Sequence, residues 1–100
     1  MNPRVFLDVN PRTLRVPASR SAGADPFKLQ RQIAKYGASV VGMPKIEVSR
    51  GSDGEFVINN GVTRATRIAK LSPGIAVPVE VIDDLPMPVG SFPSIGDLLP

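Results

Sequence analysis

The stretch F-V-I-N-N-G-V-T-R-A-T-R-I-A-K, residues 56–70, changes its period in the middle. Up to Ile58 it is a short apolar run of the kind that makes a strand. From Val62 onward the apolar residues recur at helical spacing. At about 100° per residue, Val62, Ala65, Ile68 and Ala69 share one sector. Arg64 lies just outside that sector, between the directions of Ile68 and Leu71, and Arg67 and Lys70 turn progressively toward solvent. A strand that runs through N-N-G straight into a helix sets both the fold class and the place to look for function.

The physical reason lies in the helix start. First-turn N–H groups lack partners and sit at the positive end of the helix dipole, so they attract anions. Gly61 removes side-chain bulk where an anion approaches. Arg64, on the border of the buried face, is a partly desolvated guanidinium that needs an anionic partner, and its planar fork suits phosphate or carboxylate. Two readings stay open. In one, Asn59, Asn60, Gly61, Thr63, Arg64 and Arg67 surround a phosphate-bearing ligand. In the other, Arg64 pairs with Glu47, Asp53 or Glu55 and only braces the fold. The hydroxyls of Thr63 and Thr66 serve either a ligand or their own helix backbone.

Working outward, K-I-E-V-S-R (45–50) alternates with Ile46 and Val48 inward, and G-S-D-G is turn chemistry, so 45–58 reads as a hairpin broken by N-N-G. Upstream, D-P-F-K-L-Q-R-Q-I-A-K-Y-G (25–37) has a capping Asp25, a proline at the first helical position and a terminating glycine, and reads as a helix. R-V-F-L-D-V (4–9) reads as a strand with Val5, Leu7 and Val9 on one face. Residues 10–24 read as an extended loop around a short strand at L-R-V. Its Arg12, Arg15 and Arg20, with no acid among them, are candidates for nucleic-acid contact. Downstream, 62–71 is the second helix, stopped by S-P-G, and A-V-P-V-E-V-I (76–82) is a further strand. From Asp83 the pattern fades, and 84–100 reads as a proline-rich tail whose Phe92, Ile95, Leu98 and Leu99 dock on the body or on a second copy of the chain. The domain proper spans 1–83.

Composition narrows the chemistry. One hundred residues that are 42% hydrophobic suit a single small domain. No run is long enough to span a bilayer and no secretory signal opens the chain, which points to the cytoplasm. Cysteine and histidine are both absent. That removes thiol chemistry and Ser-His pairs, and leaves no ordinary zinc ligand set. No metal site is read from the sequence; a metal, if one is used, is a hard ion such as magnesium held by oxygen ligands, with Glu47 and Glu55 as candidate catalytic acids and Asp53 beside them. Residues 1–50 carry nine Lys or Arg against three Asp or Glu, and residues 51–100 carry three against six. A basic first half either attracts polyanions or forms a solvated face.

The order of these parts resembles the ParB/sulfiredoxin-like superfamily, the ParB-like N-terminal or "ParB-like nuclease" domains. The matching segments are L-Q-R-Q-I-A-K-Y-G, M-P-K-I-E-V-S-R-G-S-D-G-E-F-V-I, N-N-G-V-T-R-A-T-R-I-A-K and V-P-V-E-V-I, covering about residues 5 to 83. The specific part is N-G-V-T-R (60–64), where Gly61, Thr63 and Arg64 match the family's box. The resemblance implies a small α+β domain with a mixed sheet, two main helices, a hairpin and a phosphate-binding strand–loop–helix turn. The box is degenerate: Asn60 replaces an aspartate common in the family, and Val62 occupies the position of the catalytic cysteine of sulfiredoxins, which excludes sulfinic acid reduction. In chromosome-partitioning members an arginine-rich form of the box binds CTP. The resemblance therefore implies a module that binds a nucleotide or nucleic acid. The alternatives are a magnesium-dependent nuclease or nucleotide hydrolase, in the manner of a toxin-like effector module, and a protein-interaction domain without catalysis.

Overall fold

In the computed structural model, residues 5–99 are described and form a small α+β domain. In chain order the elements are β1 (Val5–Val9), α1 (Pro26–Tyr36), β2 (Ile46–Arg50), β3 (Phe56–Asn60), α2 (Val62–Leu71), β4 (Val77–Asp84) and the single turn α3 (Ile95–Leu98). The four strands make one sheet in the order β1-β4-β2-β3. β2 runs antiparallel to β3 and parallel to β4, and β1 runs antiparallel to β4, so the sheet is mixed. The parallel pairing follows from the decisive stretch: α2 is the crossover that returns the chain to lay β4 beside β2.

The apolar sector of α2 packs as its spacing requires. Val62, Ala65, Ile68 and Ala69 are all buried, against Ile46, Val48, Ile58, Val77, Val79 and Val81 of the strands. Asp25 caps α1 by accepting from the Phe27 and Lys28 amides at 2.8 and 3.3 Å. Gly37 ends it with φ at +55°. β1 begins at Val5, and Arg4 of the expected strand lies outside the described residues. Its Val5 and Val9 lean on the core while Leu7, expected on the same face, is exposed.

Two strands run past their expected ends, β4 to Asp84 rather than residue 82 and β3 to Asn60 rather than Ile58. β3 does not break at N-N-G but continues through Asn60, which pairs with Glu47 across a bulge in the β2–β3 ladder. A strand is held by backbone donors and acceptors, so polar side chains do not end it as they end an apolar pattern. The loop 10–24 contributes more than connection. Leu14 and Val16 are wholly buried, and between them the Arg15 amide donates to Phe56 O while Arg15 O accepts from the Ile58 amide, at 2.8 and 2.9 Å.

The segment after β4 folds along its own body. Asp53 anchors its first part, with Oδ2 accepting from the Gly90 amide at 2.9 Å and Oδ1 from the Val89 amide at 3.3 Å. Ser94 and Asp97 then form a capping box that starts α3. Ile95, 1% exposed, enters the core beside Leu14, whose carbonyl accepts from its amide at 2.9 Å. Among the described residues no helix is long and apolar enough to cross a membrane.

Two measurements check this account. Ile95→Ala should lower the unfolding free energy by about 2–4 kcal/mol in urea titration, as expected for truncating a buried isoleucine; a surface-like loss under about 0.5 kcal/mol would place the segment outside the core. The Asp53 carboxyl is pushed up by desolvation, but hydrogen bonds from the amides of Gly90, Val89 and Glu55 outweigh this and hold it below its ordinary 3.8. A depressed folded-state value stabilises the fold above the unfolded value, and that contribution disappears as the pH falls through the folded one. Wild type should therefore exceed Asp53→Asn in stability at neutral pH, and the two should converge as the pH drops below about 3.8.

Candidate functional site

α2 opens at Gly61, whose φ of +114° is a left-handed conformation that favours glycine. No side chain caps the helix start. What lies over it is the guanidinium of Arg64, folded back from the first turn. A Cβ placed on Gly61 would meet Arg64 Nη2 at 3.0 Å and Ile46 Cγ1 at 3.1 Å. The glycine therefore serves two needs, a backbone angle and room for an arginine. Arg64 Nη2 donates to Lys45 O at 3.1 Å, while its Nε is shut from solvent with no hydrogen-bond partner.

None of the carboxylates proposed as partners reaches Arg64. Glu55 takes Arg15 Nη2 at 2.9 Å, and Asp53 is occupied by backbone amides. Glu47 Oε1 accepts from Asn60 Nδ2 at 3.3 Å. Among the described residues no carboxylate lies within ion-pair distance of Arg64 or of Arg67. Of the two readings of Arg64, the internal ion pair is the one the geometry does not contain.

Arg67 departs from the helical-wheel expectation. It does not point toward solvent but is 2% exposed. Its Nη1 donates to Gly37 O and Ser39 O at 2.7 and 2.8 Å, its Nη2 to Met43 Sδ at 3.3 Å, and its guanidinium lies 5.4 Å from the Tyr36 ring. The reason is tertiary. The C-terminal end of α1 and the loop 38–44 cover this flank of α2, so a direction that is open on an isolated helix is closed here. The buried charge is compensated by carbonyl dipoles at the negative end of α1 and by the Tyr36 ring rather than by an anion. Burial presses the guanidinium below its ordinary value, with Tyr36 acting in the opposite sense.

The two arginines meet in one cleft. Gln32, Tyr36, Val41, Gly42, Met43, Pro44, Arg64 and Arg67 enclose about 160 Å3 between α1, the 38–44 loop and α2. Half of the wall is apolar or aromatic, both charges are positive and no acidic residue lines it. Arg67 Nε, like Arg64 Nε, is a buried donor without an acceptor, which leaves the local potential positive. Sequence reasoning found the arginines but missed Gln32, Tyr36 and the 38–44 loop. The one available signal was the apolar V-V-G-M-P run, which had no evident core to join.

The remaining candidates are placed elsewhere. Asn59 Nδ2 donates to Ser49 Oγ at 2.7 Å and Asn60 to Glu47, so both side chains face β2. Thr63 is half-buried in the first turn of α2. Thr66 bonds its own helix, with Oγ1 donating to Val62 O at 2.7 Å. Arg15 binds Glu55 and Phe92 O and acts as a brace between the hairpin and the C-terminal segment. Arg12 packs under α3, with Gly96 against its carbonyl, and Arg20 borders a separate surface depression. Glu47, Asp53 and Glu55 are not assembled into a ligand set: among the described residues no three acidic side chains stand together as a metal group. No protein-family model matches the chain, and no curated protein matches its sequence.

Gly61→Ala should cost about 1–3 kcal/mol in chemical denaturation, combining left-handed backbone strain with contact against Ile46. A cost near zero would mean that the turn relaxes freely and does not fix Arg64.

Proposed function

We propose that the chain is a binding module for a phosphate-bearing ligand, a nucleotide or a nucleic acid, and that it binds without bond cleavage. The observation that carries this reading is a single cleft holding two arginines with no carboxylate within ion-pair distance among the described residues. Arg67 supplies a fixed positive charge that its neighbours hold in place. Arg64, less deeply buried and bonded to one carbonyl, supplies the fork that closes on phosphate oxygens. The uncapped start of α2 adds partial positive charge on the same side.

The absence of a carboxylate from the cleft wall argues for binding over catalysis, since neither Glu47 nor Glu55 is placed there as a general base. The likeness of N-G-V-T-R to the ParB-like box leads to the same ligand class. The proposed setting is the cytoplasm, where such ligands are abundant.

Thermal shift with inorganic pyrophosphate and with nucleoside triphosphates tests the reading. A ligand that binds only the folded state raises apparent stability, by about 2.7 kcal/mol at a hundred times its Kd. Arg64→Ala should keep the unliganded melting temperature within a few degrees and weaken binding about tenfold or more, about 1.4 kcal/mol. Equal affinity in wild type and variant would remove Arg64 from the site and sink the proposal.

A further inference from the structure

We infer that the ligand is a single-stranded nucleic acid that lies along the outer face of α1, with one of its phosphates seated between Arg64 and Arg67. This rests on the phosphate-binding reading and specifies its ligand. The first reason is size. Sites that engulf a whole small ligand enclose roughly 300–1,000 Å3, whereas this cleft encloses about 160 Å3. It accommodates a charged group and leaves the rest of the ligand on the surface.

The second reason is what that surface holds. Gln32 and Tyr36 also line a shallow open groove of about 360 Å3, whose other walls are Lys28, Arg31 and Lys35. These three cations fall within a sector about 60° wide on α1. Lys28 in turn borders the depression that contains Arg20, so positive charge continues from Arg64 across α1. Asp25, the one acid on this route, has its carboxylate bonded to the Phe27 and Lys28 amides.

The third reason is aromatic. Phe27 and Tyr36 flank the cationic sector, about 90° or less from its edges. Phe27 is 80% exposed and Tyr36 47% exposed. Arg67 holds the Tyr36 ring in place, while Lys35, 5.3 Å from the ring centre, is an exposed flexible chain that can give way to a base. Cations bracketed by accessible rings suit unpaired bases, whose π faces are free to stack. A duplex offers phosphates but keeps those faces covered, and an acidic peptide makes no comparable use of Phe27.

The full chain should be titrated with fluorescent oligothymidylate, with a mixed-sequence duplex of equal length, and separately with pyrophosphate. Oligothymidylate should bind about tenfold or more tightly than the duplex, in a salt-dependent manner. The triple variants K28E/R31E/K35E and K28Q/R31Q/K35Q should each weaken it about tenfold, and the Gln variant should flatten the salt dependence by about 2, three contacts at about 0.7 each. The Gln variant should leave pyrophosphate binding within a few-fold, because the cleft itself is intact. Phe27→Ala should weaken oligothymidylate binding about fivefold or more and leave pyrophosphate binding unaltered. Pyrophosphate binding that depends on Arg64, combined with oligothymidylate binding indifferent to the triple variants, would overturn the α1 track and keep the cleft. Duplex binding as tight as single-strand binding would overturn the choice of ligand. Failure of both probes would overturn the track and the cleft together.

Discussion

Arg67 is the side chain on which the arrangement of the cleft depends. Its guanidinium is withdrawn from water at a cost of several kcal/mol that no formal anion offsets. The compensation comes from the Gly37 and Ser39 carbonyls, the Met43 sulfur and the Tyr36 ring, which all belong to the end of α1 and the loop that follows it. Because those partners must converge on one planar group, the loop 38–44 has little freedom. The wall of the cleft is therefore shaped by the residue that charges it.

Arg64 stands in a complementary relation to the backbone. Gly61 lacks a side chain where the folded-back guanidinium lies, and its left-handed φ turns β3 into α2 within one residue. Ile46, under the same glycine, belongs to the core. A left-handed turn, an arginine and the hydrophobic interior thus share one small volume. Elsewhere the hairpin acids are engaged away from the cleft: Glu55 with Arg15, Asp53 with the amides of Val89 and Gly90. This separation of charges keeps the cleft positive although acids outnumber basic residues in the second half of the chain.

Much of this was legible in the sequence, for identifiable reasons. The caps of α1, the alternation of β2 and the apolar sector of α2 are local features, and each appears where its pattern lies. Arg64 at the border of the buried face is likewise a local deduction. Arg67 was misread because a helical wheel describes a helix in isolation, and the cover over this flank comes from residues about 30 positions earlier. Asn59 and Asn60 hid the last two residues of β3, since ladder bonds are made by a backbone that side-chain polarity does not report. α3 is too short for any period to show. Only the Ser94–Asp97 spacing announces it, a capping box without the long helix that usually follows.

The brace at Arg15 has a consequence for how the molecule is made. Arg15 meets Phe92 across 77 positions, and the Val16 and Ile95 amides bond to Pro93 and Leu14 carbonyls across a similar interval. Contacts so remote along the chain close late, after the nearby hairpin and helices have formed. The cover over Leu14 and Val16 is therefore complete only once residues 92–95 are in place.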